Sequence, residues 1–389
     1  MTTTSLPPEI CAIVCNLIHH DDLLALATVS RVFRAEAERL LYLSVELRSK
    51  RRFKSFCLAV IRRPYLVRRL HTLVMIMPPP MDLEIADFER ITKMLHLSTN
   101  LQHLRVLSER TEHSPPTNGD AIPTWIIEGH SFQLKSFENA YFEQGMIWRF
   151  LRAQPTIETL VMNAGATTLT GVPMPNLKNL SCCSESLQGL NAPSQSEGCL
   201  KDVERLQLYL VKTTELEHLM MLARLRSHLR PTLKSLSISR YYCRPVGMRL
   251  DLLLYTLAAQ VPDLKYLRIL DYSVETQEHL IPFLAGLPIA FTQLETLVLR
   301  PAMMVDTAFA DDPPQRCACK ELRTASGRSD AAIRAMLMLP SLTRVVFIID
   351  EEIHEYRVNE CDENWCCIAC GMKTSQLTEL DADEWMKVE

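Results

Sequence analysis

No stretch of this chain approaches the roughly 20 consecutive apolar residues that a membrane-spanning helix needs, although 47% of its 389 residues are hydrophobic. The apolar residues are dispersed through the chain and can fill a large interior, so no membrane partner is expected. A secretory start is also missing. The opening Met1-Thr2-Thr3-Thr4-Ser5-Leu6-Pro7-Pro8-Glu9-Ile10 has no basic residue, and Glu9 falls where an apolar stretch should run. That points to an intracellular location, cytoplasmic, nuclear or both. The 13 cysteines are odd in number and scattered. Several sit inside apolar phrases, where a thiol acts as a small hydrophobe, so reduced thiols are expected rather than a disulfide framework.

Catalytic signatures are absent too. His354-Glu355-Tyr356-Arg357-Val358 begins like a zinc-protease helix, but Val358 stands where the second histidine is required. The stretch from Gly165 to Gly171 lacks the Gly-Lys-Ser/Thr ending of a phosphate loop, and no Gly-x-Ser-x-Gly elbow occurs. His19-His20-Asp21-Asp22 reads as a helix break. Near the C-terminus, Cys361, Cys366, Cys367 and Cys370 contain one Cys-x-x-Cys pair, Cys367 and Cys370. Tetrahedral zinc wants two such pairs or a histidine partner. His354 is near in sequence, and Cys317 and Cys319 lie earlier, but the second pair has the wrong spacing. The expectation is a protein that is no enzyme and takes neither metal nor cofactor.

Charge is unevenly distributed. Residues 48–69 carry nine Arg and Lys and no acid, whereas residues 350–389 carry twelve acids against three bases. Such runs are ordinarily solvated faces. A nuclear-localisation patch at Lys50-Arg51-Arg52 or an electrostatic docking surface are the alternatives, and no nucleic-acid partner is expected.

Residues 5–47 read as three short helices. Pro7 and Pro8 suit a helix start because proline lacks the amide hydrogen that is orphaned there, and Glu9 complements the helix dipole. Ile10, Ile13, Val14, Leu17 and Ile18 form one apolar stripe. Asp21 or Asp22 can cap a second helix with Leu23, Leu24, Leu26 and Ala27, and Ser30 a third carrying Phe33, Ala37, Leu40, Leu41 and Ser44. Three short helices cannot bury this much apolar surface among themselves. A face is therefore expected to meet a partner or the segment that follows.

The runs Leu6-Pro7-Pro8-Glu9-Ile10, Asp22-Leu23-Leu24-Ala25-Leu26 and Val29-Ser30-Arg31-Val32-Phe33-Arg34 resemble the F-box, with its Leu-Pro-x-Glu-Ile opening, Asp-Leu-Leu-x-Leu middle and Val-Ser-x-x-Phe third helix. The resemblance covers about a tenth of the chain. It implies docking on a Skp-type adaptor and, through it, on a cullin scaffold. The implied adaptor-binding positions are Leu6, Pro7, Glu9, Ile10, Leu24, Val29, Ser30 and Phe33. The alternative is a helical cap that covers the first of a series of repeats.

Those repeats fill the rest of the chain. The phrase leucine, two residues, leucine, one residue, aliphatic occurs at Leu70-x-x-Leu73-x-Met75, Leu101-x-x-Leu104-x-Val106, Val203-x-x-Leu206-x-Leu208, Leu233-x-x-Leu236-x-Ile238, Leu264-x-x-Leu267-x-Ile269 and Leu294-x-x-Leu297-x-Leu299, among nine copies. Weaker copies stand at Leu134/Phe137 and Leu322/Ala325. First leucines lie 20 to 33 residues apart, which brackets the leucine-rich-repeat period. Alternation makes each phrase a short strand with one buried face, and Glu215–Leu229, Leu250–Gln260 and Thr276–Leu287 suit connecting helices. The phrase lacks the asparagine or cysteine that closes regular coils, so an irregular solenoid is expected. A flat parallel α/β sheet is the competing architecture. F-box and repeats together resemble the fungal F-box/leucine-rich-repeat proteins, in which the repeats recruit a substrate.

The expected fold class is thus an α/β repeat. An F-box-like helical module spans 1–47, a basic linker helix 48–65, an irregular leucine-rich solenoid 66–350 and an acidic, cysteine-containing segment 351–389. The implied function is substrate recognition in a Skp/cullin/F-box ubiquitin ligase; the alternative is a repeat scaffold or inhibitor with no ubiquitin role. Strand alternation directs Arg205, Tyr209, Tyr266, Arg268 and Arg300 away from the core. They are the expected contacts for an unidentified protein substrate, with Arg268 and Arg300 side by side.

Overall fold

A computed structural model describes residues 6–78, 82–108, 124–142, 147–162, 174–184, 202–211, 222–223, 229, 232–241, 250–272, 274–275, 291–304, 316–317, 319–349, 352–358, 373–376 and 384–387. The architecture is mixed α/β with mostly parallel pairing. The chain divides into two compact units, Met1–Gly165 with Val172–Asn176 and Ala166–Gly171 with Leu177–Glu389.

The first unit opens with helices α1 (Pro8–Leu17), α2 (Leu23–Leu26) and α3 (Arg31–Leu41), with a 3-10 turn at His20–Asp22. Proline begins α1, and the Ser30 hydroxyl caps α3 by accepting from the Phe33 amide at 3.2 Å, as its side chain suits. Their shared core is Cys11, Cys15, Leu23, Phe33 and Ala37. Strand β1 (Ser44–Leu47) follows, then α4 (Lys50–Arg62), α5 (Pro64–Val67), β2 (Thr72–Met77), α6 (Ile85–Leu97), β3 (His103–Ser108), β4 (Ser136–Asn139), α7 (Trp148–Arg152) and β5 (Thr159–Met162).

Strands β1 to β5 each lie parallel beside the one before. The register aligns Leu73, Leu104, Phe137 and Leu160 on one row and Met75, Val106, Asn139 and Met162 on the next. Every one of these side chains is buried. Asn139 is the polar exception. Its Nδ2 donates to the Phe142 carbonyl at 2.7 Å, and its Oδ1 accepts from the Tyr141 and Phe142 amides at 3.2 and 2.9 Å. It thereby closes the turn after β4 without leaving a buried polar atom unpaired.

Two expectations are corrected here. The module assigned to 1–47 ends in β1, a sheet strand. The segment 48–65 is no linker: Phe53, Cys57 and Val60 of α4 are buried, and Lys50 lies 3.6 Å from Asp87 of α6. It forms, with α5, the connection that parallel strands β1 and β2 require.

In the second unit, parallel β6 (Asn179–Cys183), β7 (Arg205–Val211), β8 (Ser235–Tyr241) and β9 (Tyr266–Asp271) are again consecutive neighbours. Helix α8 (Leu250–Gln260), where the sequence pattern places it, joins β8 to β9; the other two expected connecting helices, 215–229 and 276–287, lie largely outside the described residues. After a small sheet of β10 (Val274–Glu275), β12 (Met303–Met304) and β13 (Arg316–Cys317), the main sheet continues through β11 (Thr296–Arg300) to β14 (Arg344–Ile349). Leu180, Leu206, Leu236, Leu267, Leu297 and Val345 share one row.

The weak phrase at Leu322/Ala325 makes no strand: a 3-10 turn (Lys320–Arg323) and α9 (Ala325–Met338) occupy it. The sheet then changes direction. Strands β15 (Glu352–Arg357) and β16 (Lys373–Gln376) are antiparallel, so the supposed beginning of a zinc-protease helix at His354 is a strand.

Candidate functional site

Burying Cys11 and Cys15 turns the opposite side of α1 outward. Ile10, Ile13 and Leu17 follow one another at helical spacing and are 42%, 54% and 81% exposed. The sequence placed them on one stripe; the structure faces that stripe outward, and the two small thiols serve the core instead. Leu6, Leu24 and Val29 are also exposed large hydrophobics, and Pro7 and Glu9 are exposed as well. Six apolar side chains of the helical module are thus in contact with solvent beside the Cys11, Cys15, Leu23, Phe33, Ala37 core.

The other two implied adaptor positions act differently. Phe33 is buried in the module's core, and Ser30 spends its hydroxyl on the α3 cap. Both therefore support the surface from beneath. Ile13 and Leu17 belong to the exposed set although the F-box resemblance did not name them; their position on the Ile10 stripe was the available signal.

The outer face of α4 is basic. Lys50 is tied to the Asp82 carbonyl at 2.7 Å, while Arg51, Arg52, Lys54 and Arg62 are exposed. Nearby on the helical side of the same unit, Nε2 of His130 bonds the Ile126 carbonyl at 2.7 Å, and its Nδ1 lies 3.1 Å from Nδ1 of His96.

In the second unit the expected substrate residues divide. Arg205 is partly exposed, with Nη1 3.4 Å from Asn179 Oδ1 and 3.6 Å from Glu204 Oε2. Tyr209 is partly exposed and belongs to a ladder missed from sequence. Its ring lies 6.3 Å from that of Tyr241, which stacks on Tyr272 at 4.7 Å and 3°. The guanidinium carbon of Arg300 sits 4.3 Å over Tyr272, a cation–π arrangement.

Tyr266 and Arg268 depart from expectation, being 2% and 8% exposed. Tyr266 belongs to a cluster with Leu270, Val298, Val346, Ile348, Ile353 and, from the C-terminal segment, Trp385. The outward row of these strands is thus covered by the chain's own tail. The side-by-side arginines are corrected as well: Arg300 pairs with Leu270 and Arg268 with Val298. Each guanidinium lies two residues along from the other, and Arg300 rests on a tyrosine ring.

Beneath the sheet, Arg240 and Asp271 form an ion pair of 2.6 Å with both side chains fully buried. They occupy the row that Leu210 begins in β7. A charge at the third inward position of two successive phrases was the sequence signal for them.

Chain comparisons return no match among protein-family models or curated proteins.

Metal chemistry finds no footing among the described residues, where no group of three His, Cys, Asp or Glu side chains converges. Burial and a hydrogen bond to Glu321 push the Cys319 thiol well up, and burial pushes Cys57 up to about 12. Thiols raised in this way stay protonated near neutral pH and are weak nucleophiles. Cys361, Cys366, Cys367 and Cys370 lie outside the described residues. No helix among the described residues is long and apolar enough to cross a membrane.

Proposed function

We propose that the chain is a non-catalytic substrate-recognition subunit. In this reading the N-terminal helices are an F-box that docks on a Skp-type adaptor and thereby on a cullin scaffold. The strands are the inner wall of an irregular leucine-rich solenoid that holds a protein substrate. Such a receptor performs no bond chemistry; it raises the effective concentration of the substrate beside the transferring enzyme.

One observation carries the reading. Leu6, Ile10, Leu24 and Val29, which match F-box positions, are exposed around a core that is already complete, so folding does not account for their apolarity. Strand order supports the solenoid half. Within each unit, successive parallel strands are neighbours with phrase leucines in register, as stacked coils require. A doubly wound sheet reverses its strand order at a switch point instead.

The test is co-purification with a Skp-type adaptor. Replacing Leu6, Pro7 and Ile10 by alanine is expected to abolish capture while circular dichroism and the thermal midpoint stay unchanged, since surface substitutions typically cost within about 0.5 kcal/mol. Undiminished capture by the triple variant would leave the helical cap of a scaffold or inhibitor as the reading.

A further inference from the structure

We propose that the Trp385 seat on the second unit's sheet is the receptor site for an acidic peptide bearing an aromatic residue, and that the chain's own C-terminus occupies it as an internal stand-in for that partner. The inference rests on the reading of this sheet as the substrate face and specifies the partner's chemistry.

Strand alternation gives each strand an inward row and an outward row. On β7 the outward row is Arg205, Gln207 and Tyr209, side chains suited to water. On β9, β11, β14 and β15 the outward positions include Tyr266, Leu270, Val298, Val346, Ile348 and Ile353, which form a broad apolar patch. Trp385 is what covers it, 1% exposed, with Tyr272 and Met386 packed against the same cluster. Trp385 lies in a 3-10 turn, Glu384–Met386. Residues 377–389 hold five acids and one base. The face that carries the patch also carries Arg205, Arg268 and Arg300, opposite in sign to the composition of this segment.

The seat also has unmet polar capacity. Ser235 and Ser237, outward residues of β8, are fully buried, and their hydroxyls have no hydrogen-bond partner among the described residues. Ser237 lies opposite Arg268 in the register. A buried hydroxyl without a partner weakens the packed state. A substrate segment that follows the tail's course and bonds these hydroxyls gains interactions that the tail leaves unmade, and can displace it. The tail thus sets a threshold that admits acidic, aromatic-bearing segments and excludes others, a repulsive element of specificity.

The experiment titrates a fluorescein-labelled peptide of residues 377–389 with the full-length protein and with full-length Trp385→Ala, followed by anisotropy. The vacated seat is expected to bind the peptide at least tenfold more tightly than wild type. Binding should weaken with salt and disappear when the peptide's own tryptophan is alanine. Equal binding by both proteins, or binding by neither, overturns the proposal.

Should Trp385→Ala fail to fold, hydrogen exchange on the wild-type protein decides. Residues 384–387 are expected to exchange at least a hundredfold faster than β9 and β11. Exchange only with global unfolding makes Trp385 an ordinary core residue and ends the proposal. Adaptor capture by wild-type protein, measured in parallel, separates the two readings. Loss of capture with intact peptide binding defeats the adaptor role alone; intact capture without peptide binding defeats this inference alone.

Discussion

At the scale of single residues, the side chains that resisted prediction are those whose environment is set by distant segments. His130 is one. Its Nε2 faces the Ile126 carbonyl and so carries the hydrogen of the neutral ring, which leaves Nδ1 to accept from Nδ1 of His96. A proton added to His130 puts a second hydrogen into that 3.1 Å gap. Burial, chiefly, and the neighbouring imidazole push His130 down to about 4, against the opposing pull of the Ile126 carbonyl. The unfolded chain, with a histidine pKa of about 6.5, then binds more protons than the folded one between those values. Stability is expected to be fully present above pH 6.5 and to decline as pH falls towards 4. Burial also lowers His103 and His354, which act with the same sign, so His130→Gln should flatten only part of the slope. Urea midpoints at pH 7 and pH 5 for both proteins check this; an unchanged difference between the two pH values removes His130 from the account.

At the scale of elements, the strand ladder was legible because one register repeats. The phrase positions Leu206, Leu236, Leu267 and Leu297 pair with one another in the sheet, as their common place in the phrase implied. Strand β1 was not legible, since the phrase Leu40-x-x-Leu43-x-Val45 overlaps the end of α3 and its residues also fit the helical pattern. The antiparallel ending at β15 was hidden too, because alternation is the same for either direction. Coverage of Tyr266 and Arg268 was beyond local reasoning: alternation fixes which way a side chain points and says nothing of what lies over it.

The ladder's fully buried ion pair yields a prediction at this scale. Arg240 and Asp271 replace apolar side chains at neighbouring inward positions, fully buried. Removing one partner strands a charge, so Asp271→Leu or Arg240→Met should each cost about 3–5 kcal/mol. The double variant restores a neutral row next to Leu210 and should recover most of the loss. Chemical denaturation of all four proteins measures the coupling; simple additivity of the two losses would show that the ions do not act as a pair.

At the scale of the whole molecule, the described residues include two apolar faces, the α1 stripe and the face under Trp385. They differ in how they are managed. The second is covered by the protein's own tail, whereas the first is open, with Leu17 81% exposed and Ile13 54%. An open apolar stripe favours self-association in the absence of a partner. Ile13→Glu with Leu17→Glu should therefore reduce concentration-dependent association in size-exclusion chromatography. It should also abolish adaptor capture. Neither side chain contributes to the Cys11, Cys15, Leu23, Phe33, Ala37 core, so the unfolding free energy should change by no more than about 0.5 kcal/mol. The helical cap makes the opposite prediction. A cap must press its apolar stripe onto the chain it protects, and two buried glutamates there would destabilise the fold by several kcal/mol. A large loss of stability in this variant would therefore identify the helices as a lid on the first strands, and an unchanged stability with lost capture would leave them a docking module.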